Sequence, residues 1–147
     1  MIRAMQPQDA AAVSRLCLAA FQQAVAPTLS AEGVATFASI AAAEAFLARM
    51  AGDNLLWVAE QDGQVQGVIE LKEGRHIAML FVDPQMQRQG VGKALLATAL
   101  QHARVTQVTV KASLSSVPAY QHYGFVCSDE VGESAGLIYQ PMVIQRP

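Results

Sequence analysis

The stretch from Leu80 to Leu96, LFVDPQMQRQGVGKALL, combines an apolar strand, a glycine-containing loop and the start of an apolar helix. Gly90 and Gly92 let the backbone approach a ligand closely because glycine has no side chain. A helix N-terminus presents unpaired N–H groups and a partial positive charge, which favour an anion. Arg88 and Lys93 add positive charge on either side. These residues indicate either a phosphate or pyrophosphate site, or a turn that needs glycine for its geometry alone.

Two well-known nucleotide-binding loops are excluded at this segment. A P-loop requires glycine five positions before Gly92 and serine or threonine after Lys93, whereas the chain has Gln87 and Ala94. The dinucleotide-binding fingerprint requires a third glycine three positions after the second, and Leu95 stands there. The segment therefore matches neither class.

Residues 87–92, QRQGVG, do match another pattern. They resemble the acetyl-CoA-binding motif Gln/Arg-x-x-Gly-x-Gly/Ala of the GNAT superfamily of N-acetyltransferases. Residues 80–84, LFVDP, resemble the strand and turn before that motif, and residues 120–125, YQHYGF, resemble a second conserved region of the family at a family-like distance. With both motifs in register, the whole chain resembles a single GNAT domain over residues 1–147.

The resemblance implies acetyl-CoA as co-substrate and no metal. It places acetyl-CoA in the gap between two splayed parallel strands, 76–82 and 107–112, with the strand backbone bonding the pantetheine and the loop N–H groups bonding the pyrophosphate. Family members often have asparagine where this chain has Ser113, so a weaker serine contact is expected there. The residues implied in binding are Leu80, Phe81, Val82, Gln87, Arg88, Gln89, Gly90, Val91, Gly92, Lys93, Ser113 and Tyr120.

The catalytic residues are also implied by the resemblance. Tyr120 matches the tyrosine that family members often use as general acid toward the departing CoA thiolate, and a phenol of ordinary pKa is protonated at neutral pH. The base is left open between His76, whose unperturbed pKa suits the role, and Glu70 on the preceding strand. Phe21, Leu29 and Glu70 are expected to line the acceptor pocket.

The implied function is transfer of an acetyl group from acetyl-CoA to a primary amine of a small molecule or peptide, by direct attack in a ternary complex. The alternative is a non-catalytic acyl-CoA-binding sensor or interaction module of the same fold. A homodimer is a candidate assembly, because family members are often dimers.

The elements that must position these residues are predicted from apolar periodicity. A helix is expected between Pro7 and Pro27, and a second, capped by Ser30, ends at Gly52. Strands are expected over 1–5, 55–60, 64–71, 76–82, 107–112, 125–127 and 135–144, and further helices over 91–104 and 113–123. This order predicts a mixed α/β (α+β) fold with a mostly antiparallel sheet of about six to seven strands and about four helices.

Composition excludes several classes of protein. Hydrophobic residues make up 52% and charged residues 15% of the 147 positions, which excludes disorder. No apolar run is long enough for a spanning helix, and the first residues lack the pattern of a signal peptide. A net charge of −2 argues against a nucleic-acid partner. Cys17 and Cys127 lack metal spacing, so the sequence predicts reduced thiols in a cytoplasmic protein without membrane partners.

Overall fold

The computed structural model describes residues 1–86 and 89–146, and within them the chain forms five α-helices and eight β-strands. The helices are α1 (Ala10–Ala24), α2 (Ala31–Ile40), α3 (Ala43–Met50), α4 (Val91–Leu100) and α5 (Val117–Tyr123). The strands are β1 (Ile2–Ala4), β2 (Asn54–Gln61), β3 (Gln64–Lys72), β4 (His76–Val82), β5 (Gln107–Ala112), β6 (Val126–Cys127), β7 (Gly132–Ser134) and β8 (Leu137–Gln145).

The strands form a sheet in the order β1-β2-β3-β4-β5-β8-β6, with β7 paired to β8. Neighbouring strands are antiparallel except β4 and β5, which are parallel. These two pair only at His76 with Thr109 and at Ile77 with Val110. Beyond that point β4 stays with β3 and β5 stays with β8, so a gap opens between them. The predicted bounds of β4 and its parallel pairing with β5 are confirmed.

A β-bulge lies in β4 where the gap begins. Ile77 pairs with Leu71 and Met79 pairs with Glu70, so Ala78 is an extra residue without a partner on β3. A bulge bends its strand and increases the local twist. The bend falls one residue after the last β4–β5 pair, and it therefore accounts for the separation of the two strands.

Hairpin turns with two residues at positive φ connect the antiparallel strands. Asp62 and Gly63 have φ of 55° and 78°, and the same pattern occurs at Glu73 and Gly74. Such turns match the twist of the flanking strands. Asp-Gly is one of the residue pairs that favour such a turn.

Some predicted elements were wrong in their bounds. The second helical region is two helices, because Ala42 is extended (ψ 144°) and acts as the N-cap of α3. The strand predicted over 135–144 begins two residues later, at Leu137 of β8, because Ala135 and Gly136 form the turn after β7, a strand that the sequence did not predict. The helix after the glycine loop ends at Leu100, four residues before the predicted end at 104. The described residues thus form five helices where about four were predicted, and eight strands where six or seven were predicted.

Two hydrophobic cores cover the two faces of the sheet. One lies under α1, α2 and α3 and contains Val13, Phe37 and Phe46. The other lies under α4 and α5 and contains Leu95, Tyr120 and Phe125. The period-2 alternation of strands explains how neighbouring residues of β4 reach opposite cores.

In the described ranges, no helix is by itself both long and apolar enough to cross a membrane. Only α2 and α3 taken together meet the criteria of length and composition, and they are bent by 52° with respect to each other.

Candidate active site

The two glycines before and within α4 are required for different reasons. Gly90 is the N-cap and has φ 81°, and nothing lies within 4 Å of the position a Cβ would take. Gly92 is buried, and a Cβ there would collide with the hydroxyl of Tyr123. Gly90 thus leaves open space at the helix N-terminus, where the first N–H groups have no intrahelical partner, whereas Gly92 accommodates a neighbouring side chain of the protein. Lys93 is exposed on the first turn.

The gap between β4 and β5 leads from this helix terminus into the sheet. Leu80 packs toward α4 and α5, and Phe81 toward the opposite core, where it meets Phe37 edge to face at 5.4 Å. In the described part of the chain, the backbone of Leu80, Phe81 and Val82 has no strand partner on the β5 side. Unpaired backbone groups require another partner, which fits the backbone role expected for these residues.

The predicted pyrophosphate loop is described only in part. Gln89 and Gly90 are exposed and precede α4, which begins at Val91. Gln87 and Arg88, which the sequence also places in this loop, lie outside the described residues.

Tyr120 lies on α5 and is buried beneath the splayed strands. It shares a core cluster with Leu80 of β4 and Val110 of β5. Its ring meets Phe125 edge to face at 5.2 Å. Burial, and then the neighbouring Tyr123, raise the pKa of the Tyr120 hydroxyl well above its usual range, so the phenol stays protonated at neutral pH. The position combines a packing role with a proton donor close to the gap.

Ser113 follows β5 at the open end of the gap. Its hydroxyl lies 2.6 Å from that of Ser116, and either oxygen can be the donor. A hydroxyl has one donor and two acceptor sites, so this bond leaves Ser113 able to make up to two further hydrogen bonds.

His76 lies at the closed end of the gap, between Lys72 of β3 and Thr109 of β5 in register. Its Nδ1 is 2.7 Å from the Thr109 hydroxyl. Burial, followed by the charges of Lys111, Arg75 and Lys72, lowers the pKa of His76 to about 4. The imidazole is therefore neutral at pH 7 and lines a cavity of about 340 Å³ at this end of the gap.

Glu70 is fully buried and held by two donors. Its Oε2 accepts from Arg49 Nε at 2.8 Å and from Asn54 Nδ2 at 2.5 Å. Within the described residues, Glu70 Oε1 and Arg49 Nη2 are buried without a hydrogen-bond partner. Arg49 also donates to the Ile40 carbonyl at 2.9 Å, where α2 breaks from α3. Glu70 is thus part of an internal charged cluster.

The other residues expected to line the acceptor pocket lie on the α1–α3 side of the sheet. Phe21 is 4% exposed and stacks on Phe37 at 4.0 Å. Leu29 is half-buried and packs against the same core. Phe21 therefore packs inside the core, and Leu29 is the more accessible of the two.

Sequence reasoning missed the cations around His76 and the arginine that holds Glu70. Lys72 and Lys111 lie on the strands flanking β4. Their positions in the sequence, in or next to the strands that form the predicted gap, could have indicated that they lie near His76. Arg49 had no such signal, because it lies on helix α3, 21 positions before Glu70 in the chain. Within the described residues, no group of three His, Cys, Asp or Glu side chains is arranged to hold a metal ion.

Comparisons with known proteins agree with this geometry. The family model described as "Acetyltransferase (GNAT) domain" matches residues 25–146. Peptidyl-lysine N-acetyltransferase YiaC of Escherichia coli K12 is 36% identical over 70 residues, which cover 47% of this chain and 48% of that protein. The human N-acetyltransferase 8 is 38% identical over 87 residues, which cover 49% of this chain and 38% of that protein. The chain thus matches about half or less of the length of these curated relatives.

A solved GCN5-related N-acetyltransferase from Rhodopseudomonas palustris has a TM-score of 0.86 and 26% identity, covering 99% of this chain and 94% of the other. Its extent shows that the fold is shared from end to end. The family model spans most of the chain and includes both motifs, so the resemblance read from the sequence is confirmed: the chain belongs to the GNAT acetyltransferase family.

Proposed function

We propose that this protein transfers an acetyl group from acetyl-CoA to a primary amine, by direct attack of the amine in a ternary complex. The observation that carries the proposal is the gap between β4 and β5, which runs from the open N-terminus of α4 to a cavity beside His76, with a protonated phenol beneath it. An extended co-substrate with phosphates at one end and a thioester at the other fits such a gap.

The phosphate end of acetyl-CoA is proposed to lie at the N-terminus of α4. Its N–H groups and Lys93 supply donors and positive charge, and the space beside Gly90 is open. The pantetheine then follows the unpaired edge of Leu80, Phe81 and Val82, with Ser113 on the opposite side. Gln87 and Arg88 remain proposed contacts from the sequence motif.

Tyr120 is proposed to donate the proton that the CoA sulfur needs. The amine nitrogen bonds to the thioester carbonyl carbon, the carbon–sulfur bond breaks, and the sulfur takes the phenol proton. The phenol is protonated at neutral pH, as this role requires, and its raised pKa means that the phenolate left behind readily takes up a proton again.

His76 is proposed as the group that accepts the proton which a neutral amine loses once its nitrogen has bonded to the thioester carbon; the lowered pKa keeps the imidazole free to accept that proton but too weak a base to deprotonate a free ammonium. Its Nδ1 is hydrogen-bonded to the Thr109 hydroxyl, which leaves Nε2 for the amine substrate in the cavity. Glu70 is less suited as the base. It is 0% exposed, and its Oε2 already accepts hydrogen bonds from Arg49 and Asn54. Glu70 is therefore proposed as a structural charge behind the acceptor pocket.

The test is release of free CoA thiol by the purified protein with acetyl-CoA and a panel of amines. Tyr120→Phe is expected to lower kcat by about a hundredfold or more, the range for general acid catalysis, with unchanged acetyl-CoA affinity by calorimetry. Tyr123→Phe is the matched control and should retain activity. A reversed result would assign the acid to Tyr123.

The base has its own variant. His76→Asn keeps an amide group near the position of Nδ1 but removes Nε2, so it is expected to lower kcat/KM by about tenfold to a hundredfold without loss of folding. Acetyl-CoA binding with no thiol release from any amine would overturn the enzymatic proposal and favour an acyl-CoA-binding module.

A further inference from the structure

The cavity at the closed end of the β4–β5 gap has a strongly positive lining. Lys72, Arg75 and Lys111 contribute to it together with His76 and Thr109, and its described lining contains no carboxylate. The chain has only three lysines in total, and two of them are at this cavity. Such a concentration of charge sets this cavity apart in a chain whose net charge is −2.

The charges differ in how far they are already neutralised. Arg75 donates to the Glu73 carboxylate at 2.9 Å through Nε and pairs with it at 2.6 Å through Nη2. Lys111 lies over the ring of Tyr139, with Nζ at 4.9 Å from the ring centre. A ring face does not neutralise a charge as a carboxylate does. The positive potential of the cavity therefore comes from Lys111 and Lys72, which both line it.

The fields of the three cations converge on His76. Burial is the largest cause of the lowered pKa of His76, and the positive charges of Lys111, Arg75 and Lys72 lower it further because they disfavour the imidazolium form. A bound ammonium in the same place would meet the same repulsion, whereas a carboxylate or phosphate would be attracted. The cavity is therefore suited to an anion and to an amine in its neutral form.

The position of the cavity relates it to the acceptor. His76 and Val110 line it; His76 belongs to the first β4–β5 pair and Val110 to the second, and the gap opens immediately beyond that second pair. Thr109 and Lys111 alternate with Val108 and Val110, which face α4 and α5, so they face the other side of the sheet. A co-substrate that enters from the α4 end would direct its thioester toward this closed end.

We propose that the cavity beside His76 binds an anionic group of the acceptor, so that the preferred acceptors are amines that also carry a carboxylate or a phosphate. This inference rests on the proposed acetyl transfer. Lys72 and Lys111 act as specificity-determining residues, and their ammonium groups supply the donors to the anion.

The test compares matched amines. Alanine against alaninamide examines a carboxylate, and O-phosphoethanolamine against ethanolamine examines a phosphate, each by thiol release with acetyl-CoA. The anionic member of at least one pair is expected to have a kcat/KM about tenfold higher, the order of one charge-assisted hydrogen bond, and the arm that shows the preference identifies the anion. Alaninamide has the more readily deprotonated amine, so a preference for alanine runs against intrinsic reactivity.

Variants locate the preference. Lys72→Gln and Lys111→Gln are each expected to reduce it about two- to fivefold, and Lys111→Arg should retain it. Arg15→Gln removes one positive charge from the exposed side of α1 and should leave the preference unchanged. Added salt should weaken the preference, because partly exposed charges are screened.

A second readout does not depend on turnover. Alanine or O-phosphoethanolamine should shift the His76 ring resonances and raise its pKa in NMR titrations of the CoA-bound protein, but not in the Lys72→Gln/Lys111→Gln variant. If no amine is acetylated while His76 still responds, the anion site stands and the proposed reaction falls. Acetylation without preference for anionic amines, or a preference that persists in the double variant, would overturn the anion site alone.

Discussion

The internal ion pair between Arg49 and Glu70 permits a quantitative prediction. Replacing Arg49 by Met leaves a fully buried carboxylate with only Asn54 as a donor on Oε2. Removing one partner of a buried pair costs about 3–5 kcal/mol. Because the Arg49 side chain keeps 26% of its exposure, we expect the lower end, about 3 kcal/mol.

The matched control is a surface pair of the same type. Arg104 donates to both carboxylate oxygens of Asp53 at 2.9 and 2.8 Å, and the two side chains are 59% and 62% exposed. Arg104→Met is therefore expected to cost about 0–1 kcal/mol. The two substitutions remove the same residue type from similar distances, and Arg49→Met also removes the bond to the Ile40 carbonyl, so the difference reports burial together with that bond.

Urea denaturation followed by fluorescence of the single tryptophan, Trp57, measures both variants. With an m-value of about 2 kcal/mol/M, Arg49→Met should lower the midpoint by about 1.5 M and Arg104→Met by under about 0.5 M. Adding Glu70→Gln to Arg49→Met removes the unpaired charge and should recover part of the loss. Equal shifts for the two single variants would refute the argument that burial decides the cost.

Three further predictions concern backbone and pH. Gly136→Ala should destabilise the protein more than Gly63→Ala. Both positions have positive φ, but only at Gly136 would the added Cβ collide with the backbone of α2. Denaturation midpoints measure the two losses, and equal losses would show that the collision with α2 adds no cost. Gly92→Ala is expected to cost about 1–3 kcal/mol through overpacking, and Tyr123→Phe should relieve part of it in a double-mutant cycle. The unfolded protein takes up a proton at His76 near pH 6.5, whereas the folded protein does so only near pH 4 because its pKa is lowered. The stability contribution present above pH 6.5 is therefore lost as the pH falls toward 4. Over that range the unfolding free energy of His76→Asn should fall less than that of the unsubstituted protein.

Local patterns were sufficient for the elements that carry the gap. The bounds of β4 and β5 follow from runs of apolar and alternating residues between turn residues, and these determine strand structure locally. Ser30 accepts from the Gly33 N–H at 3.3 Å, as its position before α2 predicts. The motif residues 87–92 and 120–125 identified the family because their types and spacing are themselves its signature.

The break between α2 and α3 was not visible in the sequence. Ala41 and Ala42 are strong helix formers, so intrinsic propensity favours a continuous helix there. The break places Ala41 in the core and frees the Ile40 carbonyl, which accepts from Arg49. Tertiary contacts therefore override local preference at this point.

The β7–β8 hairpin has a similar explanation. Its turn is Ala135-Gly136, and alanine is not a residue that favours positive φ. Gly136 packs directly against the backbone of Gly33, and Thr36 donates to the Ala135 carbonyl at 2.7 Å. Contact with α2, about a hundred positions earlier, stabilises a turn that its own residues do not signal.

The sequence by itself thus determined the family, the order of the elements and the segments that form the two sides of the gap. Periodicity, turn residues and motif spacing are local properties, and each can be read within a window of about 20 residues. Only the tertiary structure joined Arg49 to Glu70 and gathered Lys72, Arg75 and Lys111 around His76. Such groupings depend on strand register and on the bend at Ala78, and these are fixed by packing between segments far apart in the chain.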